Sequence, residues 1–249
     1  MKREIIWADL EFFVKVLKGL PVSESLALSE KSYCVSTSTS SENWVYFPED
    51  ITSSEIVEEA VKFFRDRGEE FMWPLYSGGS EVLEKAGLVY AGDLTAMMLD
   101  PESMTHEAVN NMLEYERVSD GNADEWAMTS WRGFGGGYEE VPENYREFVR
   151  ALCGDSEKVR LYLATKASEN VGVFSLTEEA EVMGVYYFAV KPEFRRQGIA
   201  HGMMNEVSRL AGNKKVVLQS TPMGEKFYSN YGFKELFKMP VYSIESEIF

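Results

Sequence analysis

The chain has 249 residues, 45% of them hydrophobic and 13% aromatic, enough to bury one large core or two ordinary ones, which excludes a disordered chain. Its 25 basic residues stand against 41 acidic ones, a formal net charge of −16. That field repels nucleic acid and anionic membrane, so neither is an expected partner; it serves solubility, or draws in cations such as protonated amines.

The first segment, "MKREIIWADLEFFVKVLKG", mixes acids and bases through its apolar residues, so no signal-peptide core is visible. No apolar run approaches about 18 residues, and a soluble cytoplasmic protein is the simplest expectation. "TSSEIVEEAVKFFRDRG" predicts a helix opened by a capping box of Thr52 and Glu55, burying Ile56, Ala60 and Phe63 or Phe64, and stopped at Gly68. "EEFMWPLYS" reads as a strand broken by Pro74 and the Gly78-Gly79 turn. A seam follows near "LDPESMTHE" (99–107), so domains are expected at 1–100 and 105–249.

Beyond the seam, "NADEWAMTSWRGFG" and "VPENYREFVRALCG" predict two helices joined by a glycine-rich loop. "VRLYLATK", "NVGVFSL" and "EVMGVYYFAV" predict three strands whose short polar turns suit an antiparallel meander. A helix from Gly198, a strand "KKVVLQS", a short helix "GEKFYSNYG" and a last strand or hairpin "FKELFKMPVYSI" complete an α+β sheet flanked by helices. The cysteines, Cys34 and Cys153, make neither a disulfide framework nor a metal-ligand spacing with His106 or His201; reduced, buried thiols and no metal are expected. "EVLEKAGLVY" (81–90) lays over "EKFYSNYGFKE" (225–235) when Gly87 matches Gly232. Either chance or a worn internal copy accounts for that echo.

One stretch carries chemistry: "FAVKPEFRRQGIAHGMMNEVSRL". Pro192 ends a strand, and Ile199, Met203, Val207, Leu210 and Ala211 recur at helical spacing up to Gly212. Arg195–Ala200 therefore form the turn entering a helix, where N–H groups lack internal partners and the dipole places about half a positive charge. Gly198 and Ala200 leave little side chain in front of those amides, and Arg195 and Arg196 add charge, so the turn suits a phosphate or diphosphate. No Gly-Lys-Ser/Thr follows, which excludes a P-loop, and "GFGGGY" (133–138) fails the dinucleotide fingerprint because Tyr138 takes the sixth position between two helices.

Arg195–Ala200 match Arg/Gln-x-x-Gly-x-Gly/Ala, and "FYSNYGF" lies thirty residues beyond Gly198. In this order and spacing the region from about 105 to 249 resembles the GNAT superfamily of N-acetyltransferases. The resemblance implies a mixed, mostly antiparallel sheet flanked by helices, with acetyl-CoA as cosubstrate. It implies that the backbone of Phe188, Ala189 and Val190 holds the pantetheine arm like a further strand. The turn of Arg195, Arg196, Gln197, Gly198, Ile199 and Ala200 would hold the diphosphate, and Tyr228 would stand beside the departing sulfur. Where the family often has an asparagine this chain has Thr221, so the cofactor contact expected there rests on a hydroxyl.

The implied reaction is direct attack of an amine on the thioester. A lysine-like amine sits about 3.4 pH units from neutrality at pH 7, roughly 4.6 kcal/mol, so a base or a water chain must take its proton. No acid stands in "MGVYYFAV"; Glu178, Glu179 and Glu181 lie in the preceding turn, and Tyr186 or Tyr187 could position water instead. Trp131, Phe134 and Tyr138 either meet the acceptor or belong to the core. The N-terminal half has no Arg/Gln-x-x-Gly-x-Gly/Ala turn and Leu83 aligns with Tyr228, so if the echo is real a degenerate GNAT-like copy is expected there, two tandem halves in all. The first reading is thus an N-acetyltransferase for a small-molecule or peptide amine. The alternative is a non-catalytic acyl-CoA-binding sensor or structural module.

Overall fold

The computed structural model describes residues 2–39, 42–103, 113–136, 140–154 and 157–244. They form two compact units with interleaved segments: Met1–Met97, Gln219–Phe227 and Glu235–Phe249 in one, Met98–Leu218 and Tyr228–Lys234 in the other.

The first unit opens with α1 (Lys2–Gly19) and an antiparallel meander of β1 (Glu24–Ala27), β2 (Tyr33–Ser36) and β3 (Trp44–Tyr46). The period-2 alternation of β2 and β3 sorts their side chains into two layers. Tyr33 and Tyr46 lie 5.5 Å apart, and Tyr46 meets Trp7 of α1. Cys34 and Val45 instead join the core around α2 (Ser54–Arg65), with Val57, Ala60 and Phe64. The cap of α2 is Ser53, whose Oγ accepts from the Ile56 N–H at 3.4 Å. That is one residue later than the Thr52–Glu55 box predicts: three consecutive hydroxyl residues offer three caps, and the sequence does not say which one takes extended backbone. Phe63 and Phe64 are both buried, and Ile56 only partly.

The predicted strand over 69–77 reduces to β4 (Trp73–Pro74), because Pro74 donates no ladder hydrogen bond. After α3 (Ser80–Lys85) comes β5 (Val89–Leu99), and the order β4–β11–β5 includes β11 (Lys234–Ser243), which is one strand and not a hairpin. β11 pairs antiparallel with β4 through Tyr242↔Trp73. Of the seam, residues 104–107 lie outside the described residues.

The second unit carries the predicted meander: β7 (Val159–Lys166), β8 (Glu169–Glu178) and β9 (Val182–Val190), extended by β6 (Leu113–Arg117) beyond β7 and by β10 (Lys215–Ser220) beyond β9. All pairings are antiparallel except β9 with β10, which are parallel. The sheet is mixed and mostly antiparallel, as the resemblance implies. β6 has no counterpart in the sequence reading, since its burial alternates too weakly to signal a strand. Both predicted leading helices form, α4 (Ala123–Gly133) and α5 (Glu143–Gly154), followed by α6 (Ile199–Ala211) and α7 (Pro222–Tyr231), the last starting two residues early.

α4 and α6 cover opposite faces of the meander. A Cβ on Gly133 of α4 would stand 2.7 Å from the Ala189 Cβ, and one on Gly172 would stand 2.6 Å from the Met203 sulfur of α6. Ala189 pairs with Val173, the neighbour of Gly172, so the two directions are opposed. Both cysteines are reduced and buried, and burial pushes their thiols up. Among the described residues no helix is long and apolar enough to cross a membrane, and no group of three His, Cys, Asp or Glu is arranged to hold a metal ion.

Candidate active site

Two irregularities of β9 shape the site. First, its parallel ladder with β10 covers Val182–Gly184 against Lys215–Val217, and beyond Gly184 the described strands no longer pair. A slot that opens between two diverging parallel strands admits an extended ligand able to hydrogen-bond as a strand does. Phe188, Ala189 and Val190 stand in the stretch past the last of these pairs. Second, β9 bulges against β8: Ser175 pairs with Tyr186 and Val173 with Ala189, so Tyr187 and Phe188 together oppose Phe174. Tyr187 has φ +51°, left-handed backbone that costs a non-glycine residue about 1–3 kcal/mol. Its ring is held by Trp126 at 5.5 Å and Phe148 at 6.4 Å, while the buried Ser175 Oγ donates to the Tyr186 carbonyl at 3.2 Å. Nothing in "VYYFAV" announces this bulge.

The turn after β9 has the predicted character. Pro192–Phe194 make one 3-10 turn, then Arg196 (φ +60°) and Gly198 (φ +76°) both take left-handed backbone ahead of α6. Such alternation gathers successive N–H groups into an anion-binding hollow. Glycine at the cap leaves the helix N-terminus without a side-chain hydrogen bond. α6 also has no acid in its first turn, whereas every other helix of the described residues has one. In so acidic a chain that exception favours an anionic visitor. Ile199 is buried as the first core residue of α6, and Ala200 is half-buried. Arg196 is exposed and makes no side-chain hydrogen bond or ion pair among the described residues. Gln197 is tied within the turn, Nε2 donating to the Glu193 carbonyl at 3.0 Å.

Arg195 departs from the expectation of a charge at the mouth. Its Nε donates to the Val190 carbonyl at 3.2 Å and its Nη2 to the Gly133 carbonyl at 2.8 Å. Lys191, missed in the sequence, is buried at the end of β9, its ammonium 5.9 Å from the Phe194 ring. Burial first, then Arg132, holds that ammonium below the ordinary lysine range.

Tyr228 stands beside Phe188, ring centroids 6.0 Å apart, and 5.5 Å from Phe233. It is 8% exposed, and burial drives its phenol well above the ordinary value of about 10. A phenol in that condition keeps its proton and serves as a hydrogen-bond donor. Phe188 continues toward Phe174, which stacks on Tyr162 at 4.9 Å, and Phe233 continues toward Tyr231, so the tyrosine sits within a row of packed rings.

The remaining candidates separate. Thr221 precedes α7 and its carbonyl accepts from the Gly224 N–H at 3.0 Å and the Ser220 hydroxyl at 2.8 Å. The Ser220 hydroxyl has thereby engaged its one proton and can only accept a further hydrogen bond. Glu178 is paired with Lys214 and Arg160, which hold its carboxylate below the usual range, Lys214 most strongly. It ends β8 opposite Met183, with Glu179 and Glu181 in the turn before β9, roughly 15–20 Å of strand from Phe188 and too far to act as base there. Trp131 is a packing residue: its indole donates to the Gly136 carbonyl at 3.0 Å and its ring lies 5.5 Å from Tyr145. Phe134 is 61% exposed, and Tyr138 lies outside the described residues.

The family model described as "Acetyltransferase (GNAT) domain" matches residues 137–243. No curated protein matches the chain. Among solved structures, a functionally unknown conserved protein from Staphylococcus epidermidis is similar with a TM-score of 0.66 at 13% identity, covering 90% of this chain and 94% of that one. A GCN5-related N-acetyltransferase from Kribbella flavida gives 0.66 at 12% identity over 98% and 95%. Another from Sphaerobacter thermophilus gives 0.57 at 14% identity over 85% and 76%. At such identities these structures speak for the fold, while the family model reads the sequence itself. The diverging strands and the left-handed turn both fall within residues 137–243, the stretch that matches the GNAT acetyltransferase domain.

Proposed function

We propose that this domain transfers an acetyl group from acetyl-CoA to a primary amine of a small molecule or peptide by direct attack. The observation that carries this reading is the meeting, within one unit, of the diverging β9–β10 pair, the acid-free N-terminus of α6 and a buried phenol against Phe188. The amides of Arg196–Ala200 bind the diphosphate, and the backbone of Phe188–Val190 binds the pantetheine arm. The neutral amine nitrogen attacks the thioester carbon, the C–N bond forms and the C–S bond breaks. The amine's proton leaves to water, and the Tyr228 hydroxyl donates a hydrogen bond to the departing sulfur. A thiolate is a good leaving group with a thiol pKa near 8.5, so a hydrogen bond suffices where full proton transfer from so weak an acid would be uphill.

The N-terminal half of the chain fits a worn copy of the C-terminal half, since α3, Gly87 and β5 repeat the helix–glycine–strand order of α7, Gly232 and β11. The acid-free stretch of β9 favours a second reading, an acyl-CoA-binding module without turnover. A thiol-release assay over amines, aminoglycosides and peptides decides between them. Wild-type protein is expected to release CoA with some amine, and Tyr228→Phe to lower kcat by about 100-fold with acetyl-CoA binding retained. Tight binding without release across the panel would establish the second reading, and an undiminished Tyr228→Phe would remove the phenol from the mechanism.

A further inference from the structure

The guanidinium of Arg195 bridges two carbonyls that end two elements. Gly133 is the last residue of α4, where helix carbonyls lack intrahelical donors and a cation is favoured, and Val190 is the last residue of β9. A return bond runs the other way: Arg132 Nη2 donates to Glu193 at 2.6 Å, in the turn itself. Gly133 also lets α4 approach β9 closely, its hydrogen standing where a methyl would strike Ala189. The end of α4 is thus fastened at three places to the segment 189–195 that leads into the anion-binding turn.

We infer that Arg195 is a positioning residue for the acetyl-CoA site, a latch that holds the diphosphate-binding turn against the end of α4, and not itself a contact of the diphosphate. The role follows from donor geometry. Arginine presents several N–H groups in a fixed planar fork, which here reaches carbonyls of two elements; lysine concentrates its donors at one point and cannot span both. The left-handed backbone at Arg196 needs such an external frame, because an arginine at φ +60° is not held there by its own preference. The latch also ties the first residues of the α4–α5 connection, Phe134 among them, to the cosubstrate turn.

The inference rests on the acetyl-CoA reading, and the experiment separates the two. CoA and acetyl-CoA binding are measured for the full-length wild type, Arg195→Lys, Arg196→Ala and Arg132→Gln at about 0.05 and 0.5 M salt. The latch predicts that Arg195→Lys weakens binding roughly tenfold at both salt concentrations despite its retained charge. Arg196→Ala, an exposed charge near the anion, loses a few-fold at low salt and little at high salt. In turnover, Arg195→Lys raises KM for acetyl-CoA while kcat at saturation stays within about twofold. Wild-type affinity in Arg195→Lys, or a loss that fades with salt, would overturn the latch and return Arg195 to the list of direct contacts. Should Arg195→Lys lose its cooperative unfolding transition, Arg132→Gln decides alone: a salt-independent weakening of a few-fold supports the latch, and wild-type affinity sinks it. A wild type that binds no CoA defeats the acetyl-CoA reading itself.

Discussion

Two short segments of this molecule are built alike and used differently. In one, α3 ends at Gly87 (φ +87°) and the Leu88 N–H donates back to the Leu83 carbonyl at 3.1 Å. In the other, α7 ends at Gly232 (φ +117°) and the Phe233 N–H donates back to the Tyr228 carbonyl at 3.0 Å. This is the same helix C-terminal motif, with glycine taking the left-handed position in both. The residue that accepts the returning bond differs. Leu83 is a fully buried hydrocarbon among Phe64, Trp73 and Leu75, whereas Tyr228 carries a hydroxyl to the side of Phe188. One glycine specifies the backbone scaffold in both segments, and the side chain set upon it is a hydrocarbon in one and a phenol in the other.

The largest test of that contrast is Leu83→Ala. Truncating a fully buried leucine costs about 2–5 kcal/mol, a fall of several degrees in Tm, and leaves kcat of the folded fraction unchanged. A loss of kcat without a loss of stability would mean that Leu83 does more than pack. Next come the glycines. Gly87→Ala meets only the left-handed backbone penalty, about 1–2 kcal/mol, because no atom lies within 4 Å of the added methyl. Gly232→Ala adds crowding against the Ser103 carbonyl at 3.2 Å and so is expected to cost more. Denaturant midpoints of the two variants check the order, and equal losses would erase the difference.

The smallest effect is on pH dependence. Because burial raises the Tyr228 phenol in the folded state, its share of stability is complete below the unfolded value of about 10 and is lost as pH rises through the folded value. On the proposed mechanism the activity profile is expected to show no alkaline fall below about pH 10, and Tyr228→Phe to remove part of the alkaline destabilisation, the rest shared among other groups that burial raises, Tyr33, Tyr46 and Tyr115 among them. A descending limb near pH 8 that vanishes in Tyr228→Phe would contradict the raised phenol.

What could be read beforehand was whatever local periodicity and glycine placement dictate. The helix from Ile199 to Ala211 between two glycines, the three-strand meander and the two leading helices follow from spacing alone. The bulge at Tyr187 did not, because aromatic residues are ordinary in strands and the strain is sustained by Trp126, Phe148 and Ser175 from other elements. β6 was hidden by its exposed acids, Glu114 and Glu116, which look like a solvated loop. Arg195 shows the limit most clearly. Sequence places it beside the anion turn, but its partner Gly133 stands 62 residues away, and only tertiary structure reveals that its donors are engaged.

The state of the two cysteines bears on kinetic order. Both thiols are buried and burial disfavours their thiolates, so neither offers the acetyl group a covalent resting place between donor and acceptor. On the proposed acetyl transfer, no thiol-borne intermediate is expected; a ternary complex of donor and amine would give intersecting initial-rate lines for the two substrates, and parallel lines would point to another nucleophile.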